Sequence, residues 1–328
     1  MKQNKTFSLW LLIVINAQMI LMVLLLSKSE MLSYNSVRKH KINKQDTVAH
    51  TSRKMVNNSQ YISISKKDDK KMFIPRVLCF VMTSPTDLDK RTIHVRNTWA
   101  KHCDIALYMS SKEDKIFPTI GLDVPEGRSH IALKSKAAWT YINEHYANKA
   151  DYFVKCDPDS FLIIENLKRF LQNYDPEEPQ FFGHLFVKPY LEEISSDKPF
   201  MAGGPGVVIS RASLRRLVKV AHSEDLACFP DGRNEDLKSS WCMQLAGCTP
   251  VNSTDEQGRE RFMVFPPHVY IRGNLPRWYT KRLDPERGRS QGSNCCSDYP
   301  IGFHYIDTAM MYDMYYFFYT MKIDKQFL

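Results

Sequence analysis

Between Arg76 and Cys156 the chain repeats one pattern: a short apolar run, a stretch whose apolar residues recur at helical spacing, then another apolar run. The runs are RVLCFVMT (Arg76 to Thr83), Ile105 to Met109, and Tyr152 to Cys156. The helical stretches between them are Asp87 to Lys101 and Ser129 to Asn148. Apolar runs this short, bounded by turn residues, predict buried strands. Strands that alternate with helices predict a parallel sheet covered on both faces, an α/β fold. Ligands of such sheets sit beyond the carboxyl ends of the strands. The third run ends there in Asp157-Pro158-Asp159. Further along, NLKRFLQNY predicts a helix from Asn166 that stops before Pro176, and GPGVVIS predicts a strand leading into the helix ASLRRLVKVAH. Residues 73–328 hold neither an internal repeat nor a low-complexity linker, and their length suits one domain.

The amino-terminal part differs. Residues 7–27, FSLWLLIVINAQMILMVLLLS, carry no charge, and at about 1.5 Å per helical residue they can cross a hydrocarbon core of about 30 Å. They are expected to anchor the chain in a membrane behind a tail of residues 1–6. A cleaved signal peptide is the rival reading, although SKSEML after the run offers no small-residue cleavage pattern. The net charge of +9 raises the question of nucleic acid, and its distribution argues against that partner. Lys2 and Lys5 contribute +2, residues 28–72 contribute +7, and residues 73–328 sum to zero. The basic segment 28–72 has few large apolar residues and is expected to be a solvated stem. Lys28, Arg38, Lys39 and Lys41 outnumber the charges before the anchor, so the positive-inside rule alone places the large domain in the cytosol. Eight cysteines and two glycosylation sequons, at Asn57 and Asn252, point instead to a lumenal domain. The cysteines lack the CxxC spacing of a zinc site, so disulfides are expected. Cys295-Cys296 either pair with each other or take separate partners.

Two carboxylates at i and i+2 in a turn can meet a hard cation, and a divalent ion there can bridge nucleotide phosphates. The bland alternative is an ordinary Asp-Pro-Asp turn. Pro158 fixes its own φ and biases the residue before it toward an extended form, so the turn is stiff in either case. Glu235-Asp236 opens a helix-like segment, where acids also simply favour a helix N-terminus. Gly203 to Gly206, GGPG, allows the backbone to pass close to a sugar or to turn sharply.

The run KCDPDSF, followed in order by MAGGPGVVIS, NEDLKSSWCM and CCSDYPIGFHY, resembles the core 1 β1,3-galactosyltransferases, a branch of the inverting β1,3-glycosyltransferases that includes the Fringe-like enzymes. RVLCFVMTSP, HVRNTWAKHC, YDPEEP and NLPR are similar to the same family. The resemblance covers about residues 74–320. Its most specific strings are Trp99-Ala100-x-x-Cys103 and Cys295-Cys296-Ser297-Asp298. It implies a GT-A, Rossmann-like nucleotide-sugar domain behind the anchor, a Mn²⁺-dependent site for UDP-galactose, and transfer to GalNAc on Ser/Thr of glycoproteins in the Golgi. It further implies a homodimer. Asp159 then falls on a metal ligand, Asp157 on a second metal or ribose contact, and His304 on the histidine that completes the metal site. Asp236 matches the base and Glu235 its supporting contact or rival. Arg96 and Lys134 match basic positions near the nucleotide, against the alternative of a solvated helix face. Gly203 and Gly204 match the donor side, and Lys188 and Tyr190 the acceptor side. Trp99 is expected in the core.

The chain departs from the family at several points. Pro158 replaces the middle acid of a D-D-D string, and Pro205 replaces an alanine. SSW stands near the base, where bulky Trp241 is expected to reshape the pocket. After Arg277, TKRLDPERGRSQGSN is polar where the family has an aromatic run, which removes expected partners for the acceptor sugar. Cys156 and Cys248 lack counterparts and either pair with each other or stay free. Two further readings follow: an enzyme of the same fold with another donor or acceptor, and a non-catalytic, chaperone-like relative, which would lack the D-x-D acids.

Overall fold

Six successive buried residues form the first strand, β1 (Val77–Met82), and their side chains divide between two cores. Val77, Cys79 and Val81 face one apolar cluster; Leu78, Phe80 and Met82 face the other. This is the period-two alternation of a strand buried on both sides. In the computed structural model, residues 73–187, 198–223, 228–283 and 292–324 are described. The strands that follow are β2 (Ile105–Ser110), β3 (Ile120–Gly121), β4 (Tyr152–Cys156), β5 (Phe161–Leu162), β6 (Gln180–Phe182), β7 (His184–Phe186), β8 (Phe200–Ala202), β9 (Val207–Ser210), β10 (Thr249–Pro250), β11 (Phe262–Met263) and β12 (Gly302–Phe303). Seven of them form the main sheet in the order β10-β6-β9-β4-β1-β2-β3. β1, β2, β3 and β4 run parallel, while β9 is antiparallel to both β4 and β6. The expected α/β class is the one observed.

β1 has β2 on one side and β4 on the other, so chain connections leave it in opposite directions and a crevice opens beyond its carboxyl end. Helices cover both faces. The longest, Ile131–Tyr146, buries Ala138, Trp139 and Ile142, and Trp139 meets Phe80 edge-on at 4.6 Å between ring centroids. Truncating a buried aromatic of this kind costs about 3–5 kcal/mol. The expected helix over 87–101 is broken into three short turns, Leu88–Thr92, Ile93–Asn97 and Trp99–His102. Thr98 marks the second break: its hydroxyl donates back to the His94 carbonyl at 2.6 Å, competing with the helical ladder. Trp99 is fully buried, as expected, and its indole N–H donates to the Ser160 carbonyl at 2.8 Å.

Cys79 pairs with Cys103, and Cys295 with Cys296. Cys156, Cys228, Cys242 and Cys248 are buried thiols, so the open pairing of Cys156 with Cys248 does not occur. Among the described residues no helix is long and apolar enough to cross a membrane. The run 7–27 and the stem 28–72 lie outside them.

Candidate active site

Two sheets cooperate to assemble the acids and the histidine. β4 carries Asp157-Pro158-Asp159 out of the main sheet, and the turn closes on a hydrogen bond from the Ser160 amide to the Asp157 carbonyl. β5 then pairs antiparallel with β12, with Phe161 opposite Phe303. That register brings His304, distant in sequence, over the turn. Its Nε2 stands 3.2 Å from Asp159 Oδ1 and 3.7 Å from Asp157 Oδ2. One ligand atom from each of the three residues fits within 4.8 Å of the others. Adjacent ligands of an octahedral ion with bonds of about 2.1 Å stand about 3 Å apart, so two carboxylates and an imidazole in this arrangement suit a divalent cation. Burial alone would raise the Asp159 carboxyl, but His304 and then Arg91 hold it below the usual carboxylate range.

The glycine run is fixed by these neighbours. A Cβ on Gly204 would lie 2.0 Å from His304 Nδ1, and a Cβ on Gly302 would lie 2.0 Å from the Pro205 carbonyl oxygen. A larger residue at Gly204 would push the imidazole off the turn, and one at Gly302 would push the Pro205 backbone away. The Ser160 hydroxyl donates to the Gly204 carbonyl at 2.6 Å and accepts from the Asp157 amide at 2.9 Å, linking turn and glycine run directly.

Behind the turn lies Lys155, which sequence reasoning did not single out. Its ammonium contacts Glu235 Oε2 at 2.8 Å, with both side chains buried. Ser135 and Ser239 hydroxyls donate to the other Glu235 oxygen. Burial would raise Glu235, but Lys155 and the two serines hold it low. The visible signal was a lysine inside an otherwise apolar run. Asp236 is half-buried, accepts from the Leu237 amide at 2.9 Å, and lines a pocket of about 140 Å³. Glu235 is therefore occupied as an ion-pair partner, and Asp236 is the acid that reaches the cavity.

A larger cleft, of about 740 Å³, runs beyond the carboxyl end of β1 and reaches Asp157, Asp159 and His304. Lys134 lines it, donating to the Thr83 carbonyl and to Glu126 Oε1 at 2.7 Å. It is buried there and does not belong to a solvated helix face. Arg91 and Arg128 also line the cleft, and sequence reasoning missed both. Arg96 instead lies over the Phe117 ring at 5.0 Å and is absent from the cleft lining.

The smaller pocket shares His304, Tyr305, Gly203 and Gly204 with the site and adds walls from Phe186, Phe200 and Trp278. Trp278 is 42% exposed and is braced by Phe265 at 5.7 Å and by the Arg282 guanidinium at 4.8 Å. A Fringe-like family model matches residues 76–243. Glycoprotein-N-acetylgalactosamine 3-beta-galactosyltransferase 1 of Xenopus laevis is 38% identical over 264 residues, 79% of this chain and 70% of that protein. The chain belongs to the Fringe-like family, in its core 1 β1,3-galactosyltransferase branch. Beta-1,3-glucosyltransferase of Mus musculus is 25% identical over 194 residues, 58% of this chain and 38% of that protein. Among solved structures, the galactosyltransferase LgtC in complex with donor and acceptor sugar analogs overlays with a TM-score of 0.45 at 12% identity, covering 75% of this chain and 97% of that one.

For a member of the core 1 branch, one expected departure needs correction. Trp241 is partly buried against the second apolar core and does not line the pocket it was expected to reshape. Trp278, which precedes the polar segment, lines this pocket beside Phe186 and Phe200. Lys188, Tyr190 and Asn57 lie outside the described residues. Asn252 is exposed, and its side-chain oxygen accepts from the Thr254 amide and hydroxyl. Asn234 and Tyr305, which flank Glu235 and His304, adopt φ of 63° and 57°. Left-handed backbone at non-glycine residues concentrates at functional sites.

Proposed function

We propose that this chain is an inverting, manganese-dependent GT-A enzyme that transfers galactose from UDP-galactose in β1,3 linkage to GalNAc α-linked to Ser/Thr of glycoproteins. The observation that carries this reading is the junction at His304, where the Asp157–Asp159 turn and the Asp236 pocket share one wall. Asp159, His304 and Asp157 would hold Mn²⁺, which supplies positive charge where the departing UDP gathers negative charge. Lys134, Arg91 and Arg128 line the cleft that takes the nucleotide, where cationic groups suit a diphosphate. Asp236 accepts the proton of the attacking hydroxyl, in a pocket whose aromatic wall offers a face to a sugar ring. Attack from that side on an α-linked donor yields a β product. The same reading includes a single anchor at residues 7–27, a lumenal domain in the Golgi and a homodimer.

The test is product analysis. With UDP-galactose and a GalNAc-Ser peptide, β1,3-linked product is expected in Mn²⁺ and not after chelation. Transfer from a different UDP-sugar, or onto a different acceptor alone, replaces the substrate assignment. A folded protein inactive with every UDP-sugar is the outcome expected of a chaperone-like relative.

A further inference from the structure

Lys155 is 3% exposed in a strand whose other residues are apolar. Its ammonium reaches Glu235 Oε2 at 2.8 Å and Asp157 Oδ1 at 3.9 Å, beneath Gly203, whose Cβ position lies 3.5 Å from Nζ. Glu235 is 7% exposed, and its second oxygen is taken by Ser135 and Ser239. Burying two opposite charges forfeits hydration that their attraction barely recovers, and an apolar pair of equal volume is commonly as stable. Stability alone does not account for the pair.

Its position along the chain does. Lys155 lies two residues before Asp157 in the metal-facing turn, and Glu235 directly precedes Asp236 at the start of helix Glu235–Leu245. That helix start has no side-chain cap, since Asn234 is in the left-handed region. A buried ion pair therefore ties the segment that faces the nucleotide to the segment that carries the base. The ammonium also attracts the carboxylates of Asp157 and Asp236, offsetting the repulsion that would push turn and helix apart.

We propose that Lys155 and Glu235 are positioning residues whose buried pair sets the distance between the Asp157 turn and Asp236, aligning the acceptor hydroxyl with the donor sugar. This rests on the glycosyltransferase reading above. Misplacement of reacting groups by about 1 Å costs on the order of 100-fold in rate.

The test uses two variants of the full chain: the apolar pair Lys155→Met with Glu235→Leu, and Glu235→Gln, which keeps the shape and the serine hydrogen bonds. Melting temperature, Mn²⁺-dependent UDP binding, and kcat and KM for UDP-galactose are measured for each. The expected result is a kcat lowered about 10- to 100-fold, with UDP affinity and donor KM unchanged and the double variant melting close to the parent. A merely structural role would instead lower melting temperature, UDP binding and kcat together. Wild-type kcat in a variant that folds and binds UDP overturns the inference, as does loss of all three readouts in both variants. If the parent itself turns over no UDP-sugar, the functional reading fails and the inference falls with it.

Discussion

On the proposed nucleotide side, the Asp157–Asp159 turn hangs from β4, which is held to β1 in register over five residue pairs. The Asp236 pocket, the proposed acceptor side, takes its wall from Phe186 and Phe200 in three-residue strands, Val264 just past a two-residue strand, and Trp278 in a four-residue helix. The first is an extension of the sheet and inherits its rigidity. The second is a collection of short segments whose geometry depends on side chains packing against each other, such as Trp278 against Phe265. A metal needs ligands placed to within a few tenths of an ångström, whereas a sugar face tolerates more. Under the proposed function, the strict chemistry would then sit on the regular side and substrate choice on the adaptable one.

If that division holds, damage to the nucleotide side should abolish everything downstream. Asp159→Asn keeps the size of the side chain and removes its charge. It is expected to weaken Mn²⁺-dependent UDP binding about 100-fold or more, to eliminate transfer, and to leave the melting temperature nearly unchanged, since Asp159 is not in the core. Titration calorimetry with UDP in Mn²⁺ checks it; parental affinity would remove Asp159 from the ligand set.

Asp236 lies on the seam between the two sides. Asp236→Asn is expected to bind UDP as the parent does while kcat falls about 10²- to 10⁴-fold, the usual contribution of a positioned base. Single-turnover kinetics separates chemistry from binding here. Turnover at the parental rate would place the base on another group and would make the seam part of the acceptor wall alone.

The same division decides what could be seen in the sequence. β1, β2 and β4 were legible because buried strands are contiguous apolar runs, and Asp157-Pro158-Asp159 was legible because it ends one of them. The helix expected over 87–101 failed at Thr98, where a hydroxyl turns back on the backbone and breaks a pattern that periodicity alone cannot resolve. Lys155 was missed because a lysine in a strand has meaning only through its partner, and Glu235 lies far along the chain. Glu235 and Asp236 stood as rivals for one role until burial separated them: one faces Lys155, the other a cavity. His304 was placed by family resemblance, while the reason for its position, the β5–β12 register, is a contact between remote segments. Trp278 carries no signal of its own in the sequence, because its place on the pocket wall depends on Phe186 and Phe200, which are remote along the chain.

Trp278 gives the smallest expected effect and the sharpest test of the acceptor side. Its indole is partly exposed, lines the pocket that holds Asp236, and is backed by Arg282 and Phe265. A sugar ring laid on an aromatic face gains contact area and C–H attraction, on the scale of the about 0.5–1.5 kcal/mol of aromatic contacts, which corresponds to about two- to ten-fold in affinity. Trp278→Ala should therefore raise the acceptor KM about two- to ten-fold and leave UDP binding and the donor KM untouched. Trp278→Phe should recover part of the loss, because a smaller ring still presents a face. The comparison breaks if Trp278→Ala also weakens UDP binding: the short segments would then be propping up the metal-facing turn, and the two sides would be one structure. An unchanged acceptor KM would remove the indole from acceptor binding and leave the sugar to Phe186 and Phe200, the other aromatic walls of the pocket.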